Sequence, residues 1–573
     1  MMFLLVFLAT VCLAHALRLY LFKWRKMPPG PWGLPVLGYL PFLSRSKSHE
    51  SYFELSKKYG PIFSLSLTQG VDAIVVTDAD LINEMFSSDT FLPRPHNKMF
   101  QFFGDGGEHG FASATGKVWY DNRRFALRTL KDFGFGKTSL QDIIKVDVRQ
   151  LTQRIRDRLN EPLTLGDELH VAIVNTIWHM IAEKSYNHED RKLLDFFHFL
   201  HKSQKAFQKL GLLFFQSWLL DYLPDNWTAW ADVMEFKKHW WIIRDEIKLH
   251  RESLMPDFNR DYIDCFLRNQ QKEPNNESWG DIELFSNCRN LFIAGSETTA
   301  ITINWFLLHM AQHPEVQRRC QREIDEVVGD SGREINMEDK GQLNFLEATI
   351  MEVMRAWESL HGWANGPPNI PRLPSPSFVE PRGEWTAAGA TGDELPPATI
   401  QHHAALMDSH RLLQSRSHSR RSPVAGYPGF GGLAPIAPLN LSHSCRQDTY
   451  VKGYLIPKNS WICGDIHACH MDPKNFPNPD RFDPTRFLDS EGRLLKKSPK
   501  GWMPFSVGKR QCLGESLARM NLFLYTSALL QQFSFHEDPL QRLPFPVHRS
   551  GIFVFLQLQP PAVKILVKDR TTA

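Results

Sequence analysis

The stretch that decides the fold is "PFSVGKRQCLGE", residues 504–515. In this cysteine loop, a single cysteine stands between basic residues and glycines, directly before the helical pattern "SLARMNLFLYTSALLQQF". A helix that begins at Cys512 would direct its N-terminal N–H groups at the sulfur, lower the thiol pKa and hold a thiolate ready for a metal. A buried structural cysteine at the start of a helix is the default interpretation of Cys512 by itself, so the rest of the chain must decide.

The bulk composition limits the classes of protein. The chain has 573 residues, 42% of them apolar, which is enough for one large domain or several small ones. Its formal net charge of +3 shows no nucleic-acid-binding signature. Eight cysteines without a repeating spacing are too few for a disulfide scaffold and fit a reducing compartment.

The N-terminus predicts a membrane anchor over residues 1–22, because the segment is almost entirely apolar and close to membrane-spanning length. Lys23, Arg25 and Lys26 follow at once, which places that flank on the cytoplasmic side. A cleaved signal peptide is the alternative, but its positive charge usually precedes the apolar region. Residues 23–38 form a basic, proline-rich hinge, since clustered prolines cannot continue a helix.

The region from about residue 50 onward alternates long helical patterns with short strands. "HESYFELSKKYG" predicts a helix ended by Gly60, and "PIFSLSLTQGVDAIVVT" predicts two strands around a glycine turn. Most of residues 115–350 has helical periodicity. We therefore expect one large α+β domain, mostly helical, made of residues 39–355 and 433–573.

Residues 356–432 break this pattern. They hold 10 Pro and 9 Gly among 77 residues and show no apolar period, a composition typical of disorder. A structureless loop of this length is uncommon inside a compact domain. We interpret the segment as an inserted or mis-spliced stretch; a regulatory loop, with "RSHSRRS" as an anion-binding or phosphorylated run, is the alternative.

"AGSETT", residues 294–299, lies inside a long apolar helical pattern. Its glycine and serine are poor helix formers, and threonine hydroxyls can bond back to the i−4 carbonyl and bend a helix. A local opening there would make room for a small ligand and a water. An ordinary polar helix face is the simpler interpretation of this motif by itself.

Two further helical pairs are chemically ambiguous. Glu352 and Arg355 lie three residues apart on one helix face, as in many exposed ion pairs. Trp119 and Arg123 lie four apart, so an indole N–H and a guanidinium can face one carboxylate. The cluster "CGDIHACH", residues 463–470, has zinc-ligand residue types but lacks a second, separated pair, so we do not expect a metal there.

The cysteine loop resembles the haem-ligand signature of the cytochrome P-450 superfamily at every fixed position: Phe505, Gly508, Arg510, Cys512 and Gly514. The resemblance implies that Cys512 is the axial ligand of haem iron, donating electron density that favours O–O cleavage. It also implies that Arg510 pairs with a haem propionate and that Phe505 packs near the sulfur. With the anchor and the hinge, the chain looks most like the microsomal family 2 group.

The other motifs occur in the order found in that superfamily. "AGSETT" is similar to its oxygen-activation motif, which implies that Thr298 and Glu297 help deliver protons, while Ala294 and Gly295 line the space above the haem. Trp119, Arg123 and, more loosely, His443 match propionate-contacting positions. Glu352 and Arg355 would pair with Arg481 of "PDRF" in a structural lock.

The resemblance implies a haem-thiolate monooxygenase that inserts one atom of O₂ into a lipophilic substrate. NADPH–cytochrome P-450 reductase would supply electrons, with cytochrome b5 as a second donor, because the chain shows no flavin or nicotinamide domain. Lys509 and Arg510 suggest a basic docking surface, and the anchor suggests the endoplasmic reticulum membrane with the domain facing the cytosol. A haem-thiolate isomerase or dehydratase and a catalytically inert splice form are the alternatives.

The substrate is not indicated by the sequence, since fatty acids, steroids and foreign compounds all suit an apolar pocket. The expected pocket segments are residues 100–114, 210–215, 292–298, 433–439 and 551–553.

Overall fold

The computed structural model describes residues 26–356, 439–540 and 564–570, with short gaps at 35–36, 44–47, 69, 136, 138–139, 211–212, 214–219, 221 and 225–226. Of residues 1–25 it describes only positions 7, 10, 11 and 14, which are helical and exposed. The predicted anchor and the segment 356–432 therefore lie almost wholly outside the described residues. The same holds for the expected pocket segments 210–215, 433–439 and 551–553, apart from Leu210, Leu213 and Leu439.

The described chain is mostly helical, as the sequence predicts. Its α-helices are α1 (Ser48–Tyr59), α2 (Ala79–Ser87), α3 (Lys98–Phe103), α4 (Gly110–Ser113), α5 (Gly116–Asp132), α6 (Gln141–Arg156), α7 (Gly166–Ala182), α8 (Arg191–Leu210), α9 (Trp230–Lys237), α10 (Trp241–Glu252), α11 (Tyr262–Lys272), α12 (Asp281–Gln312), α13 (Pro314–Val328), α14 (Asn344–Ala356), α15 (Ile466–His470) and α16 (Glu515–Gln532).

The strands form three small sheets. They are β1 (Ile62–Thr68), β2 (Val71–Val76), β3 (Pro162–Leu163), β4 (His443–Ser444), β5 (Thr449–Val451), β6 (Tyr454–Ile456), β7 (Trp461–Gly464), β8 (Phe533–Glu537) and β9 (Ile565–Asp569). The largest sheet has the order β1-β2-β7-β4, in which β2 and β7 are parallel and the other pairs antiparallel. The two smaller sheets are β3-β9-β8 and the hairpin β5-β6.

Local sequence explains the first elements. Helix α1 ends directly before Gly60, whose φ of +96° only glycine adopts readily. Gly70, with φ of +82°, makes the turn between β1 and β2, which pair in antiparallel register. Both elements lie where the sequence predicts them.

Helix α12 organises the core. It packs against α7, α4, α16 and β8, and most of its 32 residues are buried. Among the described residues it alone is long and apolar enough to cross a membrane, but it is largely buried inside the protein, as a core helix is. Helix α16 packs on α12 and follows the cysteine loop directly, so the loop is joined to a helix that is anchored on this central helix.

Candidate functional site

The cysteine loop is a tight turn rather than the first turn of a helix. Helix α16 begins at Glu515, three residues after the start expected at Cys512. The Cys512 N–H donates to the Phe505 carbonyl at 2.9 Å, which closes the loop. Gly508 has φ of +77°, and a Cβ there would lie 2.3 Å from the Phe86 carbonyl oxygen, so only glycine fits against α2. Gly514 has no such constraint, since a Cβ there would lie 3.8 Å from the Cys512 sulfur.

Cys512 differs from the other cysteines of the described chain. The other six are buried or half-buried, whereas Cys512 is exposed. Burial nevertheless raises the pKa of its thiol, although a hydrogen bond from the Gly514 N–H and the charge of Arg123 act to lower it. The expectation of a lowered thiol pKa is thus wrong for the protein alone, because desolvation outweighs the donors. This combination of an accessible surface and a desolvated thiol is expected for a side chain that lines an internal cavity.

Three arginines and one tryptophan form a group that includes Arg510 of the cysteine loop. Trp119 is 1% exposed, and the guanidinium carbons of Arg510 and Arg123 lie 4.4 Å and 5.6 Å from its ring centre. Arg94, which sequence reasoning missed, is also buried. Its desolvation, together with the charge of Arg123, lowers the pKa of Arg94 to about 9. The stretch "LPRP" could have indicated a buried arginine, because Arg94 stands between two prolines in an apolar stretch.

The cation cluster (Arg94, Arg123 and Arg510) has no hydrogen-bonded carboxylate in the described part of the chain. Its hydrogen bonds go to backbone carbonyls: Arg94 to Ala112, Leu441 and Ser442, Arg123 to Gln511, and Arg510 to Leu92, Phe111 and Ala114. The buried indole N–H of Trp119 has no hydrogen-bond partner among the described residues. Buried like charges without counter-ions are costly, so the cluster fits an anionic ligand.

His443 lies beside this cluster. Its Nδ1–H donates to the Phe91 carbonyl at 2.7 Å, and its ring stacks on Phe86 at 3.9 Å. Burial and the charges of Arg94 and Arg510 hold the pKa of His443 well below its usual value. The imidazole is therefore neutral, and only an anion next to Nε2 would favour its protonation.

The predicted basic docking surface needs a correction. Arg510 is 7% exposed and points inward to the cation cluster, so it cannot contribute to a surface. The Lys509 side chain is 37% exposed, and its ammonium forms an ion pair with Asp89 at 2.8 Å. Adjacent basic residues in a turn face opposite ways, which a sequence cannot reveal.

Helix α12 carries the "AGSETT" motif without interruption, so the expected local opening is not present. The hydroxyls of Ser296, Thr298 and Thr302 each donate to the carbonyl four residues earlier. Within the buried length of this helix, Ala294 is exposed and Thr298, one turn later, is half-buried. Ala294 and Thr298 thus share an accessible face, as residues lining a cavity do.

Gly295 and Glu297 serve other faces of α12. A Cβ at Gly295 would lie 3.0 Å from the Ile177 side chain, so this glycine lets α7 pack closely and does not mainly line a cavity. Glu297 is fully buried, with Oε1 3.4 Å from His201 Nε2 on α8. The carboxylate lies on the α8 side of the helix.

A buried ion pair holds α14 in place. Glu352 and Arg355 are both 0% exposed, and Arg355 donates Nε–H and Nη2–H to the two carboxylate oxygens, both at 2.7 Å. The Asp483 N–H donates to Glu352 at 2.8 Å, and Arg355 also donates to the carbonyls of His470 and Arg481. Despite the ion pair, burial raises the pKa of Glu352.

The third arginine of this lock is Arg486 rather than Arg481. Arg481 is exposed and contributes only its backbone carbonyl, whereas Arg486 Nε lies 3.5 Å from Glu352 Oε1. The pattern Pro-x-Arg-Phe occurs twice, as "PDRF" and, five residues later, as "PTRF". The second copy, Pro484–Phe487, packs against α14 and places its arginine side chain near Glu352. The sequence-based choice of the first copy is wrong because spacing alone does not separate the two.

The residues of "CGDIHACH" each have separate partners. The Cys469 sulfur contacts the Thr77 carbonyl, and Cys463 contacts the Ser442 hydroxyl. His467 packs edge-on against His49, and His470 Nε2 accepts from the Met503 N–H. These side chains take part in ordinary packing around α15.

Comparisons with known proteins agree with this geometry. The profile of the family "Cytochrome P450" matches residues 28–361 and 433–565. The chain is 29% identical over 536 residues to Cytochrome P450 2J3 of Rattus norvegicus, which covers 92% of this chain and 89% of the relative. It is 30% identical to Cytochrome P450 2L1 of Panulirus argus, covering 89% and 88% of the two chains, and to Cytochrome P450 2H2 of Gallus gallus, covering 89% and 87%.

Proposed function

Because this chain belongs to the cytochrome P450 family, whose cofactor is haem iron, we propose that it is a membrane-bound monooxygenase that uses NADPH-derived electrons to oxidise a lipophilic substrate. Monooxygenase chemistry follows from the family; the substrate class, the electron source and the membrane are our proposals. The observation that carries the proposed haem-thiolate chemistry is the accessible thiol of Cys512 beside arginines that have no hydrogen-bonded carboxylate among the described residues.

The residues present fit haem. Its two propionates are anions, and Arg94, Arg123, Arg510 and the indole N–H of Trp119 supply the donors that would hold them. Cys512 would bind the iron as a thiolate. Burial raises the pKa of the unbound thiol, but a positive metal ion bonded to the sulfur would favour the thiolate. Once bound, the group would supply dioxygen activation.

The remaining residues of α12 would shape the substrate side. Ala294 has a small side chain and is exposed within a mostly buried helix. It would therefore leave space for a substrate. The Thr298 hydroxyl donates to the Ala294 carbonyl at 2.7 Å, which leaves its oxygen able to accept a hydrogen bond from water. We infer that Thr298 orders that water and that the neighbouring acid Glu297 helps replenish its proton.

The proposed cellular setting depends on residues 1–38. An apolar segment of anchor length followed by Lys23, Arg25 and Lys26 supports attachment to the endoplasmic reticulum membrane with the domain in the cytosol. Reductase and cytochrome b5 remain the proposed electron donors. Their docking surface must use side chains other than Arg510, which is buried.

The segment 356–432 is the main reason to consider an inert form. The family profile stops at residue 361 and resumes at 433, which supports an insertion in a family domain made of residues 39–355 and 433–573. Joining Arg355 to Leu433 would leave 496 residues. We propose that the segment is foreign to the fold and that the flanking helix α14, which carries the buried ion pair, limits how it can be accommodated.

The proposed function is tested by assaying the full chain and a variant lacking residues 356–432, each with haem, in lipid vesicles containing reductase. We expect a red-shifted Soret band of the reduced, CO-bound protein and product from a lipid panel that requires both NADPH and O₂. Product without NADPH would favour an isomerase or dehydratase. Activity only in the shortened variant would identify the natural chain as the inert form. No red-shifted band in either protein would contradict the proposal.

Thr298→Ala tests the role of the hydroxyl in proton delivery. We expect NADPH oxidation to continue while product per NADPH falls, by a factor on the order of 10² if the hydroxyl positions the reacting proton. Thr302→Ala is the matched control, because it removes the same i−4 hydroxyl contact one turn later. Equal losses in the two variants would show a general effect on the helix instead.

A further inference from the structure

Helix α4, which has only four residues, connects helix α12 to the cation cluster. Its first residue, Gly110, contacts α12, and carbonyls nearer its other end contact Arg94 and Arg510. A helix this short leaves nearly all of its N–H and C=O groups without partners inside the helix. The groups outside α4 that satisfy them therefore decide where α4 lies.

At its N-terminal end, α4 is held by Glu283 of α12. The Gly110 N–H donates to Glu283 Oε2 at 2.9 Å, and His109 Nδ1–H donates to Oε1 at 2.6 Å. Both carboxylate oxygens are thus engaged, and Glu283 is 2% exposed. Hydrogen bonds to a carboxylate are roughly twice as strong as those between neutral groups, so this contact holds α4 firmly. Glu283 and His109 are called the α4 latch below.

Glycines allow the latch to form. Gly110 has φ of +70°, and a Cβ there would lie 2.8 Å from Ser286 Cβ and 3.0 Å from the Ser286 carbonyl carbon on α12. Any other residue at this position would push α4 away and lengthen the contact with Glu283. Gly107 leaves room for the His109 ring, because a Cβ there would lie 2.7 Å from His109 Nε2. The glycines of this loop therefore bring both donors to α12.

At its C-terminal end, α4 is held by the cation cluster. Arg510 donates to the carbonyls of Phe111 and Ala114, at 3.1 Å and 2.6 Å. Arg94 Nε–H donates to the Ala112 carbonyl at 3.2 Å. Both arginines are buried, so the positions of their side chains depend on such protein acceptors. A shift of α4 would move three acceptors together and turn both guanidinium groups.

Two other contacts tie this region to different helices. The Ser113 hydroxyl donates to the Phe100 carbonyl at 2.6 Å, which joins α4 to α3. The Asp105 carboxylate lies 3.0 Å from the Lys237 ammonium, which joins the loop before α4 to α9. The hydrogen bonds of Glu283 add the direct link between α4 and α12.

We propose that the α4 latch positions the cation cluster: Glu283 and His109 fix α4, and α4 fixes two arginines of the cluster for the propionates of haem. The hydrogen bonds of Glu283 described above go to Gly110 and His109 rather than to the arginines, so Glu283 is a positioning residue. The inference rests on the proposed function, which assigns the cluster to the propionates. Loss of the latch should therefore weaken the retention of haem.

Haem retention is measured on the haem-loaded full chain in detergent by transfer of haem to excess apomyoglobin, followed by absorption. We expect Glu283→Ala to lose haem about 10-fold faster or more, since removing the partner that orients a ligand-holding group typically costs about 10–100-fold. His109→Ala should accelerate the loss by less, because Gly110 keeps its contact with Glu283. Asp281→Ala is the matched control and should leave the rate unchanged. Asp281 lies in the same first turn of α12, but its carboxylate binds Arg251 at 2.6 Å.

A double variant separates positioning from a general loss of stability. Glu283→Ala and Arg94→Ala are made singly and together. If the latch acts through the cluster, Arg94→Ala should accelerate haem loss less in the Glu283→Ala background than in the unaltered chain, because coupled sites are not additive. Glu283→Gln, which keeps one oxygen to accept from the Gly110 N–H, should recover part of the retention.

Unchanged haem loss in both Glu283→Ala and His109→Ala overturns the inference. Equal acceleration in Glu283→Ala and Asp281→Ala, or additive effects of the Glu283 and Arg94 changes, also overturns it. If Glu283→Ala does not fold, His109→Ala takes its place in these comparisons, since its side chain is 36% exposed. An unaltered chain that takes up no haem would refute the proposed function and the latch together, so haem uptake by that chain distinguishes the two failures.

Discussion

Cys512→Ser is expected to abolish the red-shifted Soret band of the reduced, CO-bound protein and to reduce product formation below detection. Serine keeps the size of the side chain, but its hydroxyl does not ionise near neutral pH and donates less electron density to iron. Loss of a partner behind a metal ligand typically costs about 10–100-fold, so loss of the ligand itself should cost more than about 100-fold. Absorption spectra and product assays in reductase-containing vesicles measure both effects.

Cys265→Ser is the matched control for this variant. Cys265 is half-buried on α11, and burial raises the pKa of its thiol to about 11, so it should be chemically inert. We expect an unchanged spectrum and unchanged turnover. If Cys512→Ser kept the red-shifted band, or if Cys265→Ser lost it, the assignment of the iron ligand would be wrong. The cation cluster is intact in both variants, so haem retention in Cys512→Ser would separate ligation from binding of the propionates.

Arg355→Ala should be among the most destabilising single changes in the described chain. It leaves the Glu352 carboxylate buried with the Asp483 N–H at 2.8 Å and the Arg486 guanidinium at 3.5 Å, and the cost of breaking a buried pair in this way is about 3–5 kcal/mol. That is a large fraction of the roughly 5–15 kcal/mol that stabilises a typical domain. The urea midpoint of the full chain, followed by tryptophan fluorescence, measures the loss, and haem content should fall with it.

Arg481→Ala and Arg486→Ala decide between the two Pro-x-Arg-Phe copies. Arg481 is exposed, so its removal should change the free energy of unfolding by less than about 0.5 kcal/mol. Arg486→Ala should be clearly destabilising, because its guanidinium also donates to the carbonyls of Asn478 and Arg481. A larger effect at 481 than at 486 would restore the original choice of "PDRF".

Sequence reasoning succeeded where chemistry is encoded in short spacings. The pair Trp119 and Arg123 and the pair Glu352 and Arg355 each lie within one helix, so helix geometry fixes that their side chains are neighbours. It failed where two copies of a motif have the same spacing, and where packing against another element sets the start of a helix. Arg481 and Arg486 occupy equivalent motif positions, and the start of α16 at Glu515 depends on how the loop packs against Phe86.

The sequence by itself determined the family, the mostly helical fold and the order of the motifs, because local periodicity and the spacing of residues within a motif need no partner from elsewhere in the chain. Only the tertiary structure decided which charges are buried together. Arg94 joins Arg123 and Arg510, and His170 and His201 meet Glu297, through contacts between residues roughly 30 to 420 positions apart. Burial and long-range proximity set the pKa of a group and its ligands, and neither quantity is a property of a linear segment.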